Sequence, residues 1–149
     1  MNDLDFMMLA IEEAGIAFGK GEVPVGAILV RGAQVISRAH NLREALKDPT
    51  AHAEVLAMRE AASVSSDSWR LAGATLYVTK EPCIMCAGAI VNARIARLVY
   101  GCSDPKAGGV ISLYRIPTDS RLNHCVEVVS GVLEEECAGL LRSFFRERR

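Results

Sequence analysis

The chain has no apolar run long enough to cross a bilayer, a task that needs about 20 consecutive residues. It has no excess of basic charge: 17 Lys and Arg stand against 18 Asp and Glu, for a formal net charge of -1. A polyanion therefore meets no general attractive field, and any nucleic-acid contact has to be a local patch. Aromatic residues make up only 5%, with a single Trp, so base stacking would have to fall to very few side chains. There is no internal repeat, which sets aside solenoids and propellers. The start, Met1-Asn2-Asp3-Leu4-Asp5, is acidic and lacks the basic flank of a secretory signal, so a cytoplasmic location is expected. Cysteine is sparse and odd in number: Cys83, Cys86, Cys102, Cys125 and Cys137. In a reducing compartment thiols bind metal more often than they pair. Cys102, Cys125 and Cys137 each stand alone and read as small hydrophobes.

Half of the residues are apolar, enough for a real core and for some burial between subunits. A length of 149 residues fits one domain spanning 1–149. Apolar residues recur at helical spacing from Leu4 to Phe18, and Gly19 and Gly21 end that helix. Val25 to Val30 and Val35 to Ala39 read as strands joined by a turn at Gly32 to Gln34. Asp48-Pro49-Thr50 signals a helix over Ala51 to Ala62. A strand over Ala74 to Thr79 leads to a helix opened by Pro82 and running to about Ala93. Arg97 to Tyr100 and Val126 to Ser130 are two further strands, and Glu134 to Arg148 is a closing helix with acids first and arginines last. Helices alternating with strands imply a layered α/β domain.

The chemistry-bearing residues are His52-Ala53-Glu54 and Pro82-Cys83-Ile84-Met85-Cys86. They offer three zinc ligands, His52, Cys83 and Cys86, and one carboxylate that need not ligate. A closed structural zinc site takes four protein ligands, whereas a catalytic one takes three and leaves a position for water. Cys83 and Cys86 in a first helical turn share a face, and the unpaired N–H groups there favour thiolates. His52 is expected in the first turn of its own helix. Glu54, two residues on, does not share a helix face with it. The pair works only if the helix start points obliquely into the site. Zinc lowers the pKa of a water to about 7, and a carboxylate within reach then carries the proton to a substrate. Two plainer readings stand beside this one. Cys-x-x-Cys is also a redox pattern, and His124, Cys102 or Cys125 is available as a fourth structural ligand. His40 and His124 otherwise read as ordinary polar or capping histidines.

His52-Ala53-Glu54 together with Glu81-Pro82-Cys83-Ile84-Met85-Cys86-Ala87-Gly88-Ala89 resembles the cytidine/deoxycytidylate deaminase superfamily, whose signature and its roles are well described. The blocks Glu22 to Ala27, Asp48 to Glu54, Ala74 to Thr79 and Glu135 to Arg146 are similar to its tRNA-modifying branch. The resemblance implies a three-layer α/β/α sandwich around a central mixed five-stranded sheet, and a homodimer. It implies one Zn2+ per subunit on His52, Cys83 and Cys86, with Glu54 as proton shuttle. It implies that Asn41 contacts the base, where the bland alternative is a turn residue. The implied reaction is hydrolytic deamination of adenosine to inosine at the wobble position of a tRNA anticodon.

Phe145 is expected to stack on RNA and Phe144 to be core, with Arg142, Arg146, Arg148 and Arg149 as a basic end beside them. Asp104 and Lys106 fall where the family's loop meets the anticodon. Lys80 departs from an apolar residue of the family and reads as a change of local packing or surface charge. The stretch Gly109 to Leu122 departs as well. The competing functions are a free guanine or cytosine deaminase of the same superfamily, and a non-catalytic zinc-stabilised RNA-binding module. Ala87, Ala89 and Ile90 offer a small apolar face to a partner or to the sheet.

Overall fold

The computed structural model describes residues 1–65 and 68–148. Five strands form one mixed sheet in the order β2-β1-β3-β4-β5. Strands β1 (Gly26–Arg31) and β2 (Gln34–His40) are an antiparallel hairpin, and β1 also pairs antiparallel with β3 (Thr75–Lys80). Strand β3 runs parallel to β4 (Arg97–Cys102), which runs parallel to the short β5 (Glu127–Val129).

Alternation along the strands builds two cores, one on each face. Ala27, Leu29, Leu76, Val78, Leu98 and Tyr100 face one side, where they meet Ala53, Ala57 and Met58 of α3 (Ala53–Val64) and Ala87, Ile90 and Val91 of α4 (Ile84–Asn92). Ile28, Val30, Tyr77 and Val99 face the other side, against Phe6, Met7 and Ala10 of α1 (Asp3–Gly19) and Cys137 of α5 (Glu134–Glu147). The result is the expected α/β/α sandwich. Ala87 and Ile90 are spent on this core, and of the small apolar face only Ala89 stays partly exposed.

The start of α1 follows from its sequence. Asn2 and Asp5 form a reciprocal capping box. Asp3 then ties the helix start to the sheet through two bonds to Arg97, at 2.7 and 2.8 Å, and one from the Tyr77 hydroxyl at 2.7 Å. A side chain at Gly26 would collide with the Ala10 carbonyl, so glycine is what lets α1 lie so close to β1.

Several boundaries shift from the sequence reading, and two matter for the site. Helix α3 begins at Ala53, with His52 as its N-cap in extended backbone (φ −76°, ψ 151°). Helix α4 begins at Ile84, with Cys83 as its N-cap, so Pro82 precedes the helix instead of opening it. A short helix α2 (Arg43–Leu46), absent from the sequence reading, follows β2. The buried Glu22 caps it by accepting the N–H groups of Glu44 and Ala45 at 3.0 and 2.7 Å. Residues 109–122 form turns without a regular element.

Candidate active site

The starts of α3 and α4 converge on one point. His52 Nδ1 lies 3.6 Å from Cys83 Sγ and 3.5 Å from Cys86 Sγ. Zinc bond lengths of about 2.3 Å to sulfur and 2.05 Å to nitrogen in a tetrahedron put those donors about 3.6 Å apart. The three side chains are therefore spaced as ligands of one small cation, and they are the group with metal-ligating spacing among the described residues. The alternatives for a fourth ligand are engaged elsewhere. His124 Nε2 bonds the Ile95 carbonyl at 2.7 Å, the Cys102 thiol donates to the Thr79 carbonyl, and Cys125 points to the Asp119 carbonyl. His40 lies between Glu13 (2.9 Å) and Lys20 (3.0 Å), which leaves it a structural role.

The extended backbone at His52 resolves the His-x-Glu spacing. Only Glu54 belongs to the helix, so the two side chains are not bound by helical periodicity and approach the site from different sides. Glu54 is 4% exposed. Burial pushes its carboxyl above the usual range, against the opposing pull of its own N–H, His52 and Lys80. The two thiols are pushed in opposite directions. The hydrogen bond from Cys86, helped by that from His52 and by the Cys86 N–H, holds Cys83 down at about 3, while the same bond makes Cys86 keep its proton. The bond to Cys83 pulls the His52 imidazole up, against its burial. Thiolates and a neutral imidazole are the forms that bind a divalent cation, so binding at this cluster would be pH-dependent.

These groups open into a cavity of about 370 Å³, within the range of small-molecule sites. Asn41, Arg43, Glu54, Lys80, Asp104 and Phe145 are among its lining residues. Asn41 borders the cavity, and its carboxamide donates to the Val23 carbonyl and accepts the Arg43 N–H, the contacts of a turn residue. Phe145 is 51% exposed over the cavity, packed edge-on against the buried Phe144. Lys106 is exposed and lies outside the lining. Of the terminal arginines, Arg142 pairs with Glu135 and Arg148 lies 3.6 Å over the Phe144 ring, so both are committed to α5 itself. Arg146 is exposed, and Arg149 lies outside the described residues.

Two adjacent residues in the wall exceed the sequence reading. Lys80 is no mere surface charge: it lines the cavity and pairs with Asp104 at 3.1 Å. Glu81 is 2% exposed and accepts the N–H groups of Asp104, Val110, Ile111 and Ser112 and the Ser112 hydroxyl. Burial alone would raise its carboxyl, but these donors outweigh it and hold Glu81 at about 2. The irregular segment after β4 is thus pinned to the site by one carboxylate. The quoted block contained Glu81, but no periodicity marks a buried acid of this kind.

A three-donor cluster with a buried carboxylate, set where two helices begin on a five-stranded mixed sheet, defines a hydrolytic nucleobase deaminase. The comparisons agree and narrow the class. The chain matches the MafB19-like deaminase family over residues 1–149. It is 54% identical over 144 residues to a tRNA-specific adenosine deaminase of Bacillus subtilis, covering 97% of this chain and 89% of that one. A solved structure from a study of A-to-I editing by tRNA:A34 deaminases superposes with a TM-score of 0.88 at 47% identity, covering 92% of this chain and 99% of that one. A guanine deaminase of Bacillus subtilis aligns less well, with a TM-score of 0.65 at 36% identity over 69% of this chain and 66% of that one. The chain belongs to the tRNA-specific adenosine deaminases.

Proposed function

We propose that this protein hydrolyses adenosine to inosine at the wobble position of a tRNA anticodon, with one zinc ion held by His52, Cys83 and Cys86. The observation that carries the reading is the buried Glu54 carboxylate beside a three-donor cluster, both open to a cavity bordered by Asn41 and an exposed aromatic ring. When bound, zinc supplies the Lewis acidity that brings the pKa of a water from 15.7 to about 7.

The chain's own residues do the rest. Asn41 orients the purine edge, since a carboxamide both donates and accepts. Glu54 takes a proton from the attacking water and passes it to the ring nitrogen next to C6. With the oxygen joined to C6, Glu54 carries the second proton to the exocyclic amine. The C6–N bond breaks, ammonia leaves and inosine remains. A carboxyl raised by burial suits a group that must alternate between its two forms.

Phe145 offers a ring on which a splayed anticodon base stacks, and Lys106 and Arg146 are exposed cations in reach of RNA phosphates. The reading includes a homodimer through the outer face of α3 and α4, where Ala62, Ala89 and the exposed Trp69 border an apolar groove. A cytoplasmic location accords with a tRNA substrate, and no helix among the described residues is long and apolar enough to cross a membrane.

The deciding experiment incubates the zinc-loaded protein with an anticodon stem-loop carrying a wobble adenosine, and separately with free guanine and cytosine. Inosine and ammonia from the stem-loop alone support the reading. Ammonia from a free base alone makes the protein a small-molecule deaminase, and no ammonia from any substrate makes it a binding module.

A further inference from the structure

Asp104 is held by two consecutive residues of the cavity wall. Lys80, the last residue of β3, places Nζ 3.1 Å from Asp104 Oδ2, and Glu81 accepts the Asp104 N–H at 3.0 Å. The other oxygen, Oδ1, accepts the N–H groups of Lys106 at 3.1 Å and Ala107 at 3.3 Å. Both carboxylate oxygens are thus engaged, and the Asp104 side chain is 12% exposed.

Three carboxylates border this cavity: Glu54, Glu81 and Asp104. Glu81 is saturated by backbone and hydroxyl donors. Glu54 is buried, 4% exposed. Asp104 has its charge balanced by a cation, and among the described residues that cation is Lys80. Under the proposed function an RNA substrate carries phosphates past this cavity. A carboxylate left unbalanced there would repel them, since like charges across an interface are costly. A partly exposed ion pair adds little to fold stability, so its effect falls on binding.

We infer that Lys80 is a positioning residue for the RNA: through its ion pair with Asp104 it fixes that carboxylate on the cavity wall and cancels its charge toward the incoming phosphates. The inference rests on the reading of the cavity as an RNA adenosine site.

The test is steady-state kinetics of the metal-loaded full chain on the wobble-adenosine stem-loop, for wild type, Lys80→Met, Lys80→Arg, Asp104→Asn and the Lys80→Met/Asp104→Asn pair. In the wild-type background Lys80→Met should raise KM on the order of tenfold at low salt, the pattern of lost charge balance. The rise should shrink as added salt screens the repulsion between Asp104 and the phosphates. Lys80→Arg should restore KM. In the Asp104→Asn background Lys80→Met should change KM by less than about twofold, because the charge it balanced is already gone. An equal rise in both backgrounds, an unchanged KM, or a fall in kcat alone overturns the inference. Should Lys80→Met fail to fold, Lys80→Gln takes its place with the same expected pattern. An inactive wild type overturns the functional reading and this inference with it. An active wild type with additive effects overturns this inference alone.

Discussion

The carboxylate of Glu81 occupies the space into which a side chain at Gly108 would project. The two residues come from β3's end and from the segment after β4, and the bridge between Cys83 and Gly108 keeps their backbones adjacent. A methyl group at 108 would have to displace a carboxylate that five donors hold in place. Gly108→Ala should therefore destabilise the chain by about 1–3 kcal/mol, the usual cost of overpacking. A denaturant midpoint equal to wild type would show that Glu81 moves freely.

The same carboxylate sets a pH dependence. Its folded-state pKa of about 2 lies below the ordinary 4.5. A depressed acid contributes stability that is present above its unfolded value and lost as the pH falls through the folded one. Wild type should lose stability from about pH 4.5 down towards about 2, and Glu81→Gln should show a shallower fall over that window. Equal slopes in urea titrations at several pH values would count against the hydrogen-bond count at Glu81.

Glu54→Ala should bind zinc in the wild-type ratio, because the carboxylate is not among the three clustered donors. Its inosine formation should fall by at least about 100-fold, the low end of a lost general acid–base group. Metal content by atomic absorption and product by chromatography give both readouts. Near-wild-type turnover would remove Glu54 from the mechanism.

Neighbouring phenylalanines should separate cleanly. Phe144 is 4% exposed and meets Phe18 edge-on at 5.7 Å, so Phe144→Ala should cost about 3–5 kcal/mol of stability. Phe145→Ala should leave stability nearly intact but weaken stem-loop binding by about 1–3 kcal/mol, the value of one stacked base. Melting curves and a binding titration on both variants give the contrast. A loss of stability with no loss of binding in Phe145→Ala would return that ring to the core.

The layered α/β class and the three donors are legible in the sequence, because each leaves a local mark, whereas the three-layer sandwich and the outward role of Phe145 come from the family resemblance. A continuous apolar run marks a strand covered on both faces, and Pro-Cys-x-x-Cys after a strand marks a helix start. The geometry of His52 and Glu54 was less accessible. Helical periodicity assigns them to different faces, and the answer lay in a one-residue matter, the helix beginning at 53 and not before. Lys80 and Glu81 were the larger gap. Their partners lie 23 to 31 residues away in a segment with no repeating pattern, so nothing local announces a buried acid or an ion pair there. The same lack of pattern hid residues 109–122, whose course is set by those distant bonds.

The position of His52 carries a cost of another kind. It stands at the N-cap of α3, where Ser, Asn or Asp would close the first turn, and its side chain makes no capping bond. Under the proposed function a metal ligand sits where a structural residue would serve the fold better. In the metal-free chain, His52→Asn should then raise stability by about 0.5–1 kcal/mol while abolishing metal affinity. Under the proposed function the helix goes without a side-chain cap so that this position can hold the ion.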